Sequence, residues 1–184
     1  MRIIAGDLRG TQFIPPKGYK ARPTTDFAKE GLFNILVNQY DFENIAVLDL
    51  FSGTGSISFE FSSRGCKDIT AVDMNPLHYS FIKNTASKLG LTGMQVLRNN
   101  VFDFLNICRK DFDIVFADPP YDISGLEGIP DKILSYPIFK EGGILIFEHP
   151  ASFNFKSNAR FIKEKKYGNV HFSFFSNKIE NKTE

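Results

Sequence analysis

Four consecutive residues, Asp118-Pro119-Pro120-Tyr121, combine groups suited to chemistry on an amine. An exocyclic amine of a nucleobase is a poor nucleophile, because its lone pair is delocalised into the ring. If the Asp118 carboxylate and the Pro119 carbonyl each accept one N–H, the nitrogen can pyramidalise and direct its lone pair at an electrophile. The prolines hold that carbonyl at low entropic cost, and the Tyr121 ring can stack on a base rotated out of its helix. A rigid turn closed by proline is the structural alternative.

A second candidate site surrounds Gly53 and Gly55, directly after an apolar run. Glycines permit a tight turn and let a ligand approach the backbone, while the helix that follows supplies unpaired N–H groups. A dinucleotide-binding fingerprint would need a third glycine, or an alanine, where Ser58 stands. Asp73 ends the next apolar run, and a carboxylate there can accept both hydroxyls of a ribose. The pattern predicts a nucleoside site, with a tight turn and a helix cap beside Asn75 as the structural alternatives.

A parallel sheet is needed to bring these candidate residues together. Hydrophobic runs predict strands at residues 45–50, 68–73, 94–98, 112–117 and 143–148, separated by helices at 56–64, 76–89, 101–109 and 126–139. Residues 159–166 and 170–176 predict a closing antiparallel hairpin. At the start, residues 2–5 and 11–15 predict short β segments, and Thr24 or Thr25 predicts the start of a helix that runs to about residue 40. Such an α/β sheet binds ligands at the carboxyl ends of its strands, where the strand order reverses.

Composition and charge exclude several other classes of protein. The 184 residues, 42 % hydrophobic and 23 % charged, suit one globular domain. The two cysteines and three scattered histidines offer neither a disulfide framework nor a metal site, so no metal is expected. The opening residues lack the apolar stretch of a signal peptide, and no run approaches the roughly 20 residues of a membrane span. The sequence therefore predicts a cytoplasmic protein without membrane contact.

The basic residues concentrate towards the two ends of the chain, although the net charge is only +1. This distribution predicts arms that contact a polyanion around a small-molecule site, with chance scatter as the alternative. The candidate contacts to the phosphates of such a polyanion are Arg2, Arg9, Lys17, Lys20, Arg22, Lys163, Lys165 and Lys166. A threonine cap and Asp26 explain residues 22–30 as the start of a helix, but they do not explain Arg22. The other interpretation is that this segment forms a lid over the site. Glu148, at the end of the fifth strand, is expected to shape the pocket.

The motifs taken together resemble a known class of enzymes. The segment from Asp49 to Gly55 and the Asp118-Pro119-Pro120-Tyr121 tetrad are similar to motifs I and IV of S-adenosylmethionine-dependent amino-methyltransferases. Within that class, residues 1–10, the run Arg22-Pro23-Thr24-Thr25-Asp26 and residues 29–34 resemble the RsmD family, bacterial enzymes that methylate N2 of a guanine in 16S ribosomal RNA. The resemblance runs from Met1 to about Ser176. It implies a Rossmann-like class I methyltransferase fold with a mostly parallel twisted sheet, a C-terminal hairpin and a small N-terminal extension.

The resemblance also implies a role for each motif residue, with S-adenosyl-L-methionine as the cofactor. The residues implied around its methionine moiety are Asp49, Phe51, Gly53, Thr54 and Gly55. Asp73 is implied on the ribose with Met74 packed nearby, Asn100 and Val101 at the adenine edge, and Asp118, Pro119, Pro120 and Tyr121 around the target base. The implied partner is 16S ribosomal RNA within an assembled or assembling small subunit, and a monomer is expected. The expected division is an N-terminal β-hairpin and helix extension (1–40), the methyltransferase domain (41–176) and a frayed tail (177–184).

Other functions share parts of this pattern. An adenine-N6 methyltransferase acting on DNA or RNA would use the same tetrad, although the DNA enzymes usually carry a target-recognition region for which little chain remains. A protein glutamine methyltransferase prefers asparagine at position 118. A non-catalytic RNA-binding protein of the same fold would have no reason to retain Asp49, Asp73 and the tetrad. A nicotinamide dehydrogenase is disfavoured by Ser58 and by the lack of an acid–base histidine near a strand end.

Overall fold

Seven strands form one sheet in the computed structural model, which describes residues 1–15 and 25–178. In chain order they are β1 (Ala46–Leu50), β2 (Asp68–Asp73), β3 (Met94–Arg98), β4 (Phe112–Ala117), β5 (Phe139–Pro150), β6 (Phe161–Tyr167) and β7 (Val170–Ser176). Their spatial order is β3-β2-β1-β4-β5-β7-β6, in which β1 to β5 are parallel and β7 is antiparallel to both of its neighbours. The predicted α/β fold and its closing hairpin are confirmed. The strand order reverses between β1 and β4, which is where such a sheet binds its ligand.

Helices cover both faces of this sheet. They are α1 (Asp26–Leu36), α2 (Ser56–Ser63), α3 (Pro76–Lys88), α4 (Val101–Ile107) and α5 (Ile129–Leu134). Three of them begin at a side-chain cap: Thr25 accepts from the N–H of Ala28, Asn75 caps α3, and Asn100 caps α4. Within the described ranges, no helix combines the length and the apolar character needed to cross a membrane.

Successive residues of the central strands lie on opposite faces of the sheet and belong to two separate hydrophobic clusters. On one face, Val47 and Ile114 pack beneath α1, α2 and α3. On the other face, Leu48 and Val115 pack beneath α4 and α5. Because both faces are covered, the central strands do not alternate between buried and exposed positions, and every residue of β1 is buried, Asp49 included.

A buried ion pair fastens the N-terminal segment to α2. Lys29 of α1 is 1 % exposed, and its Nζ lies 3.4 Å from Glu60 Oε2 and 3.2 Å from Ser56 Oγ. Glu60 also accepts the backbone N–H groups of Ile4 and Ala5, at 2.9 and 3.1 Å. A buried carboxylate is tolerated only with such partners. The first residues of the chain and α1 are thereby held against the helix that follows the glycine turn.

The helix α1 also packs closely against the C-terminal hairpin. A Cβ atom added to Gly31 would lie 2.1 Å from Cε1 of Tyr167, so only glycine fits there without rearrangement. The rings of Phe27 and Tyr167 meet edge to face, with centroids 5.5 Å apart. The start of α1 and the hairpin therefore form one continuous wall.

Several predicted elements differ in the structure. The helix predicted over residues 126–139 is instead a 3₁₀ turn at Leu126–Gly128 followed by α5, which ends before Pro137 because a residue that precedes proline disfavours helical geometry. Residue 139 already belongs to β5, which spans 12 residues because Phe139 pairs with Phe112 before a register shift. At the N-terminus the two predicted β segments contribute one isolated bridge, between Arg2 and Gln12. The helix α1 ends at Leu36 rather than near residue 40.

Candidate functional site

A cavity of about 1250 Å³ opens at the carboxyl ends of the central strands. All the predicted cofactor-binding and target-base residues except Gly55 line it: Asp49, Phe51, Gly53, Thr54, Asp73, Met74, Asn100, Val101, Asp118, Pro119, Pro120 and Tyr121. Pockets for one small ligand measure roughly 300–1000 Å³. The cavity is therefore large enough for a nucleoside cofactor together with a nucleobase.

The turn after β1 is built from left-handed backbone. Phe51, Gly53 and Gly55 have φ angles of 58°, 53° and 73°. Phe51 is the one non-glycine residue with a positive φ in the part of the chain that the structure describes. This conformation costs a bulky residue about 1–2 kcal/mol, and such strain is typical of functional sites. The turn leads into α2, whose first residue Ser56 borders the cavity.

Asp73 connects this turn to the start of α3. Its Oδ2 accepts the N–H of Gly53 at 2.8 Å and lies 3.0 Å from Nδ1 of His78, while its Oδ1 accepts the N–H of Asn75 at 2.8 Å. The cap of α3 is Asn75 itself, which accepts the N–H of Leu77, and Asp73 supports that cap by accepting the N–H of Asn75. A carboxylate offers about four acceptor positions, so these contacts leave capacity for a ribose hydroxyl. Sequence reasoning missed His78, which follows the strand-end acid by five residues.

Asp49 is a buried acid that faces the same cavity. It is 2 % exposed, and Ser58 donates its hydroxyl to Asp49 Oδ2 at 2.5 Å. Burial raises the pKa of Asp49 to about 7, against the opposing effect of the hydrogen bonds from Ser58. The sequence alone shows Ser58 only as the residue that breaks a dinucleotide-binding fingerprint. The serine there instead orients a carboxylate that would readily ionise beside an ammonium group.

Asp118 lies next to a second acid, Glu148. The pairing of Ala117 with Phe147 between β4 and β5 brings the next residues of the two strands, Asp118 and Glu148, side by side. Burial, and then the charges of Glu148 and Asp49, raise the pKa of Asp118 well above its ordinary value. The hydroxyl of Tyr121 donates to Glu148 Oε1 at 3.3 Å. Asp118 and Glu148 thus form an acidic pair in the lining of the cavity, next to Tyr121.

The rim of the cavity is partly apolar. Met74 and Leu77 both line it and are 65 % and 56 % exposed, while Tyr121 is 40 % exposed. Exposed flat or flexible apolar groups suit a nucleobase, which stacks without charge. Asn100 also lines the cavity, but its side-chain oxygen accepts the N–H of Phe102 at 2.9 Å as the cap of α4. The amide nitrogen of Asn100 is then the side-chain group suited to an adenine edge.

Of the predicted phosphate contacts that the structure describes, three have acidic or aromatic partners within the protein. Arg2 donates to Asp26 at 2.8 Å, Lys163 lies 4.9 Å from the centroid of the Phe174 ring, and Lys166 lies 3.4 Å from Glu164. Lys165 and Lys166 are neighbours on β6, so their side chains leave opposite faces of the sheet. Lysines on an edge strand also prevent pairing with other chains. Arg9 is exposed, whereas Lys17, Lys20 and Arg22 lie outside the described residues.

The elements at the two ends of the chain meet at the mouth of the cavity. Thr25, the cap of α1, and Asn169, in the turn of the C-terminal hairpin, both line it. The mouth is therefore bounded by the wall that α1 and the hairpin form together. A macromolecular substrate would meet this wall before its reacting group enters the cavity.

Comparison with known proteins identifies the family. The chain is 28 % identical over 181 residues to ribosomal RNA small subunit methyltransferase D of Buchnera aphidicola subsp. Baizongia pistaciae. The alignment covers 96 % of this chain and 92 % of that protein. The chain is 29 % identical over 183 residues to the protein of the same name from Haemophilus influenzae, with coverage of 96 % and 94 %. A solved structure of a hypothetical protein from Thermus thermophilus has a TM-score of 0.84 at 25 % identity and covers 95 % of this chain and 98 % of that one. The family described as Conserved hypothetical protein 95 matches residues 1–176. This chain belongs to that family, the RsmD methyltransferases.

Proposed function

We propose that this chain transfers a methyl group from S-adenosylmethionine to the exocyclic N2 amine of a guanine in 16S ribosomal RNA. One observation carries the proposal: the Asp-Pro-Pro-Tyr tetrad shares a cavity with the residues that follow β1 and β2. The cavity can hold cofactor and base together, so the reacting atoms can meet without a large rearrangement. The names of full-length relatives agree with this function.

The residues of the cavity fit the parts of the cofactor. Asp49, with a pKa of about 7, suits the ammonium group of the methionine moiety, because a positive neighbour favours its ionised form. Asp73 suits the ribose hydroxyls, and the exposed Met74 with the buried Val101 offers apolar surface to the adenine ring. When bound, S-adenosylmethionine supplies an electrophilic methyl group on a positively charged sulfur.

The chain contributes alignment more than acid–base chemistry. The Asp118 carboxylate and the Pro119 carbonyl each accept one N–H of the amine, and Tyr121 stacks on the base. With the cofactor bound, the aligned N2 lone pair would attack the methyl carbon, and the electron pair of the carbon–sulfur bond would remain on sulfur. The methylated amine releases its proton to water. Alignment of two reactants can contribute roughly 7–11 kcal/mol in favourable cases.

The proposed substrate form is RNA within an assembled or assembling small ribosomal subunit. A net charge of +1 provides little general attraction to a polyanion. Several described basic residues also have acidic or aromatic partners of their own. Recognition that is shared with ribosomal proteins would remove the need for a strongly basic surface.

Methyl transfer from isotope-labelled cofactor tests the function. The substrates are naked 16S RNA, small subunits from cells that lack the enzyme, and duplex DNA, and mass spectrometry identifies the modified nucleotide. We expect N2-methylguanine at one position of 16S RNA, with assembled subunits as the better substrate. Methyladenine as the product would support the adenine-N6 alternative. Cofactor binding without transfer to any substrate would support a non-catalytic role.

A further inference from the structure

Glu148 is a buried acid that has no role in the alignment of the amine by Asp118, Pro119 and Tyr121. It lies at the carboxyl end of β5, is 3 % exposed, and lines the cavity beside the tetrad. Asp118 directly follows Ala117, the last residue of β4, which pairs with Phe147, and paired strands are about 4.8 Å apart. The hydroxyl of Tyr121 reaches Glu148 Oε1. Glu148 therefore belongs to the part of the cavity that receives the target base.

Two neighbouring carboxylates are a costly way to shape an apolar pocket. Each buried charge loses its hydration, and like charges at this separation oppose each other's ionisation. Both effects act on Asp118, where the charge of Glu148 is the second cause of the raised pKa after burial. A ligand that presents several adjacent hydrogen-bond donors would relieve both costs. The chemistry of the pair thus selects for a donor-rich edge.

Guanine has such an edge, because its N1–H stands next to its N2 amine. We propose that Glu148 is a specificity-determining residue that accepts the N1–H of the target guanine while Asp118 holds the N2 amine. This inference rests on the proposed function and deepens it by naming what separates guanine from other purines. A purine with a lone pair at N1 would turn that lone pair towards the Glu148 carboxylate. Two acceptors would then face each other without a proton, and the base would be rejected.

The purine 2-aminopurine tests this assignment, because it keeps the N2 amine but carries a lone pair at N1. Small subunits are assembled on ligated 16S RNA with guanine or 2-aminopurine at the mapped position. Single-turnover rates measure methyl transfer, and the fluorescence of 2-aminopurine measures its binding in the presence of S-adenosylhomocysteine. The wild-type protein should prefer guanine by about 10²–10⁴-fold. Equal rates on the two bases would overturn the proposal without any variant.

Glu148→Gln should lower this preference by about ten- to hundred-fold. The amide of glutamine can donate to a lone pair at N1, so transfer to guanine should slow while binding of 2-aminopurine tightens. A merely structural role for Glu148 predicts instead that both bases suffer equally, with the preference unchanged. That result would contradict the proposal.

Two control variants separate this effect from loss of charge or loss of alignment. Glu141→Gln removes the same charge from the opposite end of β5, where the side chain is 89 % exposed, and should leave the preference unchanged. Asp118→Asn should slow transfer to both bases by similar factors, because both carry the N2 amine. If the wild-type protein fails to methylate guanine at all, the proposed function fails, and that outcome is distinct from a failure to discriminate.

Discussion

Asp118 illustrates how a residue can act through its shape rather than by taking a proton. Asp118→Asn keeps an acceptor oxygen in the same place, so this variant should retain measurable methyl transfer. Asp118→Ala removes the acceptor, and its single-turnover rate should fall by roughly 10²–10³-fold or more. Cofactor affinity, measured by calorimetry, should be similar in both variants because Asp118 faces the target base. If both variants are equally inactive, the charge of the carboxylate is itself required.

Asp49 should make cofactor binding depend on pH. Its pKa of about 7 in the free protein means that many molecules carry a proton there below neutral pH. An ammonium group beside Asp49 lowers that pKa, so cofactor binding releases the proton. Affinity should therefore rise as the pH increases from about 5 to 7 and level off above the pKa of the free protein.

Calorimetry in two buffers of different ionisation enthalpy measures this proton release directly. Near pH 6 the apparent binding enthalpy should differ between the buffers for the wild-type protein. For Asp49→Asn, which has no proton to release at this position, the difference should disappear. A wild-type affinity that is flat between pH 5 and 8 would exclude Asp49 as the partner of the ammonium group.

At the scale of elements, side chains of α2 and α3 restrict substitution of Gly55, which directly precedes α2. A Cβ atom at Gly55 would lie 3.0 Å from both Ile82 Cγ1 and Phe59 Cε2, and the φ of 73° is itself unfavourable for alanine. Gly90 has a similar φ of 67° but nothing within 4 Å of such a Cβ, which makes it the matched control. Gly90→Ala should cost about 1–2 kcal/mol of unfolding free energy, and Gly55→Ala about 1–3 kcal/mol more. Equal costs in denaturant titrations would show that the packing at Gly55 adjusts freely.

Strands and helices whose ends are marked by a local residue, such as an acid or a proline, could be predicted from the sequence. Contacts between residues that are far apart in the chain could not. The strands β2 and β4 begin and end at the predicted residues, because each is a short apolar run that stops at an acid or just before one. The prediction of one helix over residues 126–139 was wrong, because Pro137 prevents the helix from continuing although the apolar spacing favours one. The neighbourhood of Asp118 and Glu148 depends on the register between two strands, and no local pattern encodes that register. For the same reason Glu148 was expected only to shape the pocket.

For the molecule as a whole, the buried pair of Lys29 and Glu60 should dominate the attachment of the N-terminal segment. Lys29→Ala leaves Glu60 buried with fewer partners, and such a break costs about 3–5 kcal/mol. The control is Lys67→Ala, since Lys67 and Glu43 form an exposed pair at 3.0 Å with side chains 74 % and 63 % exposed. That loss should cost at most about 1 kcal/mol. Denaturant titrations measure both, and a cost below about 1 kcal/mol for Lys29→Ala would mean that Glu60 finds other partners.

The close packing of Gly31 against Tyr167 has a kinetic consequence for the substrate. The wall that α1 and the hairpin form at the cavity mouth is closely packed there, which disfavours movement on that side of the mouth. We therefore expect the nucleotide to rotate out of the RNA stack before it enters the cavity, at a cost of a few kcal/mol. The rate of methylation should then depend on the conformation of the RNA. An RNA that already holds the target nucleotide unpaired should be modified quickly, and one that holds it in a stacked pair should be modified slowly.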